Sequence, residues 1–260
     1  MLSSNLFVVG YPKSGNTWTC KLLGNILSMP IREDNKTHSE FNLRNNLVAL
    51  SFNPMVIKSH LVPKDFLAEE SPSPKYVIYI SRDVRDVAIS SFFYWMRFLE
   101  YNNGIEYRLV NKKMFSGYFT NRKMRHYLLD FASKSSKDFR FSDWSTHHKL
   151  WLNDEWGSDV KLIQIRYEDL LIDTKGQLER IITQLDIDVN YLGKTIDQVV
   201  SEESFKSLKR NYNATGDKLN SNFLRKGQSG DWKNYFDDEL SYFFEERYGD
   251  CMNELNYFIS

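Results

Sequence analysis

Gly10 and Gly15 stand five residues apart in the segment FVVGYPKSGNTW, Phe7 to Trp18, just past a short apolar run. Glycines at this spacing can turn backbone N–H groups toward an oxyanion. A helix starting near Thr17 would aim its positive end at the same anion. The residue types therefore describe an anion cradle, and Lys13 inside the loop adds a mobile cation that can follow charge onto a departing oxygen. Downstream, Lys58 and His60 lie two apart in VIKSHLVP, Val56 to Pro63. Side chains two apart on an extended segment face the same way, here into the cleft beyond a strand's carboxyl end. Histidine is suited to taking a proton from an attacking group near neutral pH, although a His alone on a strand is more often structural. A third segment, YISRDVRDVAISSFF from Tyr79 to Phe93, offers Arg82, whose planar guanidinium matches a phosphate.

The elements that must carry these residues follow from the apolar pattern. Leu6 to Val9, Met55 to Ile57, Tyr76 to Ile80 and Lys161 to Ile165 read as buried strands of a parallel sheet. Thr17 to Leu27, Asp86 to Phe98 and Thr174 to Leu185 carry apolar residues at helical spacing. The alternation predicts an α/β domain with a central parallel sheet and helices on both faces. No internal repeat is present. Residues 101–141 are rich in Tyr, Lys, Arg and Asn with weak periodicity from Lys112 to Phe131, and read either as helices over an acceptor pocket or as a solvated surface insertion.

With 260 residues, 42% hydrophobic, and no Pro, Gly or Ser-rich linker, the chain is expected to form one domain over residues 1–260. Lys plus Arg and Asp plus Glu are both 34, so the formal net charge is zero and a generic nucleic-acid binder is not expected. Cys20 and Cys251 are two thiols far apart, which suits a reducing compartment, and no zinc-binding spacing occurs. No basic start leads into an apolar core segment and no apolar run approaches the roughly 20 residues of a membrane span. The expectation is a cytoplasmic protein without a membrane partner.

The loop departs from the ATPase pattern, because Asn16 and not Lys follows Gly15. It resembles the YPKSGTTW loop of the cytosolic-type sulfotransferases, with Asn16 in place of the usual Thr. VIKSHLVP resembles the same family's KTHLP. FLRKGQSGDWKNYF, Phe223 to Phe236, resembles its RKGxxGDWKNxF almost residue for residue, and the segments occur in the family's order. The resemblance implies a P-loop-like fold and transfer of a sulfuryl group from 3′-phosphoadenosine 5′-phosphosulfate (PAPS) to a small-molecule acceptor. By resemblance Lys13 is the catalytic lysine, His60 the general base and Lys58 an aid at the sulfuryl group. Ser14, Gly15, Asn16 and Thr17 then hold the 5′-phosphate. Arg82 and Ser90, with Arg225, Lys226 and Gly227, grip the 3′-phosphate. Trp18 and Phe205 sandwich adenine, Tyr167 meets its edge, and Phe223 and Leu224 add wall. Arg85 and Asp86 read as local charges at a helix start. Gly230, Asp231 and Trp232 fold the C-terminal loop back onto the nucleotide. WSTHHKLW has the family spacing of Trp144, His147 and Trp151, lining the acceptor pocket or packing structurally; His147 and His148 stay outside the catalytic set.

No metal is expected, since lysine and arginine neutralise the charge. The rivals are a P-loop nucleotide kinase, which wants Lys after Gly15 and an Asp ending an apolar strand, and a non-catalytic adenine-nucleotide-binding protein. The acceptor is a hydroxyl by default, with an amine nitrogen open. Many family members carry a KxxxTVxxxE dimer motif where this chain reads Lys233 followed by NYFDDELSY, without the Thr and Val. A monomer or weak homodimer is therefore expected.

Overall fold

A five-stranded, all-parallel sheet in the order β2-β3-β1-β4-β5 carries the fold. The strands are β1 (Leu6–Val9), β2 (Ile31–Glu33), β3 (Val56–Ser59), β4 (Tyr76–Ser81) and β5 (Lys161–Arg166). The computed structural model describes residues 2–33, 54–69, 74–102, 117–133, 142–153, 160–216 and 226–257. Contacts group the chain into two units, Met1–Ser81 with Leu150–Gly227 and Arg82–Lys149 with Gln228–Ser260.

The first unit holds the whole sheet. β1 has all four side chains buried, the signature of a central parallel strand covered on both faces. On one face Leu6, Val8, Ile78, Ile80, Ile163 and Ile165 join the apolar side of α1 (Asn16–Leu27) and Leu178, Ile181 and Ile182 of a later helix. On the other, Phe7, Val9, Ile57, Val77 and Tyr79 meet Trp151 and Phe66 of α2 (Pro63–Glu69). Each such fully buried aliphatic side chain contributes roughly 1.5–3 kcal/mol. Helices therefore flank both faces of the sheet, as the sequence predicts.

The second unit is helical. It contains α3 (Val84–Asn102), α4 (Gly117–Ser133), the start of α5 (Trp144–Asn153), and a late helix that runs from Asp238 to Glu254. Phe92 meets Tyr127 of α4 with ring centres 5.6 Å apart, and Phe131 stacks on Phe244 at 6.2 Å. The weak periodicity over 112–131 is realised as α4, whereas 103–116 and 134–141 lie outside the described residues. No described helix is long and apolar enough to cross a membrane.

The first unit continues with α6 (Tyr167–Ile172), α7 (Thr174–Gln184), α8 (Ile196–Glu202) and α9 (Phe205–Ala214); the Asp238–Glu254 helix is α10. Thr195 and Gln198 form a reciprocal capping box on α8. Ser204 caps α9 by accepting from the Ser207 N–H at 3.3 Å, so the α8–α9 corner is fixed by its own side chains.

Candidate active site

The sheet register brings the proposed base to the loop. β1 and β3 pair Val9 with Ser59, so the next residues along the two strands are Gly10 and His60. His60 Nδ1 lies 2.8 Å from the Gly10 carbonyl oxygen. A carbonyl only accepts, so Nδ1 carries the ring proton and Nε2 is the acceptor nitrogen. The Asn16 amide donates to the same Gly10 carbonyl at 3.2 Å and to the Ser59 carbonyl at 3.4 Å. One backbone oxygen thus ties His60 to the first residue of α1. On its other side β1 pairs with β4, and a Cβ on Gly10 would overlap the Ile80 carbonyl oxygen. Only glycine fits this approach.

The turn between β1 and α1 alternates through the left-handed region, with φ of 72° at Lys13 and 105° at Gly15. The Ser14 N–H bonds back to the Tyr11 carbonyl at 3.1 Å. The Ser14 side chain is fully buried, and its hydroxyl has no hydrogen-bond partner among the described residues. No side chain caps α1, whose N-cap is Gly15. A buried hydroxyl without a partner costs about 1–3 kcal/mol, and a bound anion that accepts from it and from the first-turn N–H groups removes that cost. The residues present fit a phosphate. Lys58 points at the same turn, donating from Nζ to Thr17 Oγ1 at 3.3 Å.

Aromatic side chains border the cradle. The Tyr167 ring presses on Gly15, where a Cβ would lie 2.7 Å from its Cδ2, and meets Trp18 edge-on at 6.1 Å. Trp18 Nε1 donates to the Glu203 carbonyl at 2.9 Å. Phe205 opens α9 and packs on Gly227, whose φ is 61° and whose Cβ would overlap the ring. Lys226 is exposed. Phe223, Leu224 and Arg225 lie outside the described residues.

Within the second unit, Arg82 is nearly buried and donates from Nη2 to the Gln228 carbonyl at 3.3 Å. Its ion pair with Asp86 measures 3.8 Å. Asp86 also accepts from the Gly230 N–H at 2.7 Å and the Trp232 N–H at 3.0 Å. Burial pushes its carboxyl above the usual range even though Arg82 and both amides oppose the rise. Arg85 grips Asp83 through Nε and Nη2, at 3.0 and 2.7 Å to its two oxygens, and lays its guanidinium 3.8 Å over the Trp232 ring. Arg85 and Asp86 stand in the first turn of α3, as the helix-start reading has it, and they also hold the GDW turn, because a buried turn needs acceptors for its amides and finds them in Asp86. Ser90 is half-buried on α3.

Trp144, His147, His148 and Trp151 are all at most 1% exposed. Trp144 and His148 rings lie 4.4 Å apart, and burial lowers the His148 pKa well below the ordinary value. Trp151 stacks on Tyr79 at 5.7 Å. These are core positions. The Asn16 amide and the Asp86 carboxylate were not legible in this role, because each acts on backbone groups whose nearness only the fold supplies.

Comparison with known proteins places the geometry in a family. The sulfotransferase domain family matches residues 3–256. Sulfotransferase 1E1 of Rattus norvegicus is 26% identical over 269 residues, covering 94% of this chain and 82% of that protein. Sulfotransferase 2A1 of Homo sapiens is 26% identical over 282 residues, covering 96% and 86%. Mouse sulfotransferase SULT7A1, solved in complex with PAP, shares the fold with a TM-score of 0.66 at 21% identity over 99% of this chain and 90% of that one. Retinol dehydratase, solved with androsterone and the inactive cofactor PAP, gives 0.58 at 21% identity over 97% and 81%. With a cradle whose residues fit a phosphate and a family match over nearly its whole length, the chain belongs to the sulfotransferase family.

Proposed function

We propose that this sulfotransferase draws its sulfuryl group from PAPS and delivers it to a hydroxyl, or to an amine nitrogen, of a small-molecule acceptor. The observation that carries the reading is the placement of His60 and the cradle on the two sides of one carbonyl, Gly10, so that base and phosphate site share a single anchor. The two solved relatives hold PAP, which is what PAPS becomes when the sulfuryl group leaves.

In this scheme the acceptor O–H gives its proton to His60 Nε2 as its oxygen forms a bond to sulfur. The bond between sulfur and the 5′-phosphate oxygen breaks, and the departing bisphosphate takes up negative charge that Lys13 neutralises. Lys58 supports the sulfuryl oxygens. Ser14, Gly15, Asn16 and Thr17 hold the 5′-phosphate at the end of α1. Holding both reactants in line supplies much of the acceleration. Arg82 and Ser90, together with Arg225, Lys226 and Gly227, are assigned to the 3′-phosphate on their motif matches, and Trp18, Phe205 and Tyr167 to adenine, with Phe223 and Leu224 as wall. Lysine and arginine supply the positive charge, so the scheme uses no metal.

Incubation of the protein with PAPS and a library of alcohols, phenols and amines, read by mass spectrometry, tests this. A product heavier by one sulfuryl group, appearing only with PAPS, is expected; PAPS left intact across all acceptor classes would overturn the proposal.

A further inference from the structure

The side-chain amide of Asn16 reaches the two backbone oxygens that decide where His60 sits. It donates to the Gly10 carbonyl at 3.2 Å, the oxygen that also accepts from His60 Nδ1 at 2.8 Å. It donates as well to the Ser59 carbonyl at 3.4 Å, which belongs to the peptide bond joining Ser59 to His60. An amide nitrogen carries two hydrogens, enough for both. Asn16 is buried at the start of α1, and its side-chain oxygen has no hydrogen-bond partner among the described residues. Turning the amide over would set that oxygen against two carbonyls, acceptor against acceptor, so the nitrogen must face them and the oxygen stays unmatched. A buried acceptor without a donor is unfavourable. What this side chain contributes here is therefore its pair of donors.

Threonine, the usual residue at this place in the loop that the sequence resembles, has one hydroxyl proton and can serve one of these carbonyls, not both. The Gly10 oxygen has two lone pairs and can take Asn16 and His60 together. One amide thus holds the peptide that carries the base and the oxygen that its ring donates to. The first-turn backbone N–H of Asn16 plays no part in these bonds and keeps its place in the cradle.

We propose that Asn16 is a positioning residue for His60, its two donors fixing the Ser59–His60 peptide and the Gly10 carbonyl in one arrangement that keeps the ring proton on Nδ1 and leaves Nε2 to accept. This deepens the PAPS reading and rests on it for the reaction, while the ring geometry is testable by itself.

Nuclear magnetic resonance of wild type with adenosine 3′,5′-bisphosphate is the first test. The Asn16 amide protons are expected to exchange slowly with solvent, and the neutral His60 ring to carry its proton on Nδ1. Free exchange of those protons, or a ring protonated on Nε2 alone, overturns the inference without any variant. Asn16→Thr and Asn16→Val then leave one donor and none. Turnover of PAPS, with a library acceptor that wild type converts, should fall about tenfold in Asn16→Thr and further in Asn16→Val, the scale of a slightly misplaced catalytic group. Calorimetric affinity for adenosine 3′,5′-bisphosphate should stay within about threefold, because the backbone N–H groups remain. His60 in both variants should gain a share of the Nε2–H tautomer. A wild-type kcat in both, a loss of affinity as large as the loss of kcat, or an unaltered His60 ring signal overturns the inference. Circular dichroism checks folding, and should neither variant fold, the wild-type resonances decide. Wild type that leaves PAPS intact with every acceptor overturns the PAPS reading alone, since the Asn16 and His60 resonances still decide the positioning.

Discussion

His60 Nδ1 donates to the Gly10 carbonyl across 2.8 Å, at the point where the paired strands β1 and β3 both end. The bond fixes the tautomer and leaves Nε2 as the proton-accepting nitrogen. His60→Ala should therefore lower sulfuryl transfer by roughly 100-fold or more, the usual scale for a general base. Nucleotide affinity, measured by titration, should stay near the wild-type value because the cradle keeps its own groups. Unchanged turnover would remove His60 from the mechanism.

Lys13→Ala should also lower turnover strongly at saturating PAPS, since the leaving bisphosphate loses its cation where charge develops. If that variant kept the full rate, the loop would be a binding site and nothing more.

Wild-type activity should survive EDTA, because the proposed scheme gives lysine and arginine the place that magnesium holds in kinases. A strict magnesium requirement in the same assay would favour the kinase alternative.

Asp86 holds the GDW turn through two backbone amides, so Asp86→Ala should destabilise the protein by on the order of 3 kcal/mol in urea titrations. Asp86→Asn retains an acceptor and should cost less. The pH dependence has a definite sign. Burial, the largest influence, raises the folded pKa above the ordinary 3.8, so the folded state holds this proton more tightly than the unfolded one. Stability from this group is full below the unfolded value and falls as pH rises through the folded one. The stability of wild type relative to Asp86→Asn should therefore decline over that window. A relative gain as pH rises would show that the amide bonds, and not burial, dominate.

Much of this site could be read from residue order because it is built from backbone geometry. Gly10 and Gly15 are demanded by the Ile80 carbonyl and the Tyr167 ring, and such close approaches leave glycine at fixed spacing in the sequence. The strands that carry Lys58 and Arg82 to their ends were visible as apolar runs, whereas β2, Ile31–Glu33, is three residues long and too short to leave a pattern. Asp86 was legible as a helix-start charge, but not its tie to Gly230 and Trp232, which lie 144 and 146 residues away, a distance that no local pattern spans. Spacing left His147 and His148 open between pocket lining and structural packing, and the packing around Trp144 puts them in the core.

The central claim, that the donor is PAPS, rests on recognition of a 3′-phosphate, the group absent from ordinary adenine nucleotides. Charge-assisted hydrogen bonds contribute about 1.5–3 kcal/mol each, so losing several should weaken binding by orders of magnitude. Direct titration of adenosine 3′,5′-bisphosphate against AMP is the most direct measurement. The account predicts a preference of at least roughly 100-fold for the bisphosphate, most of it erased in Arg82→Ala. Equal affinity of the wild-type protein for the two nucleotides would contradict it.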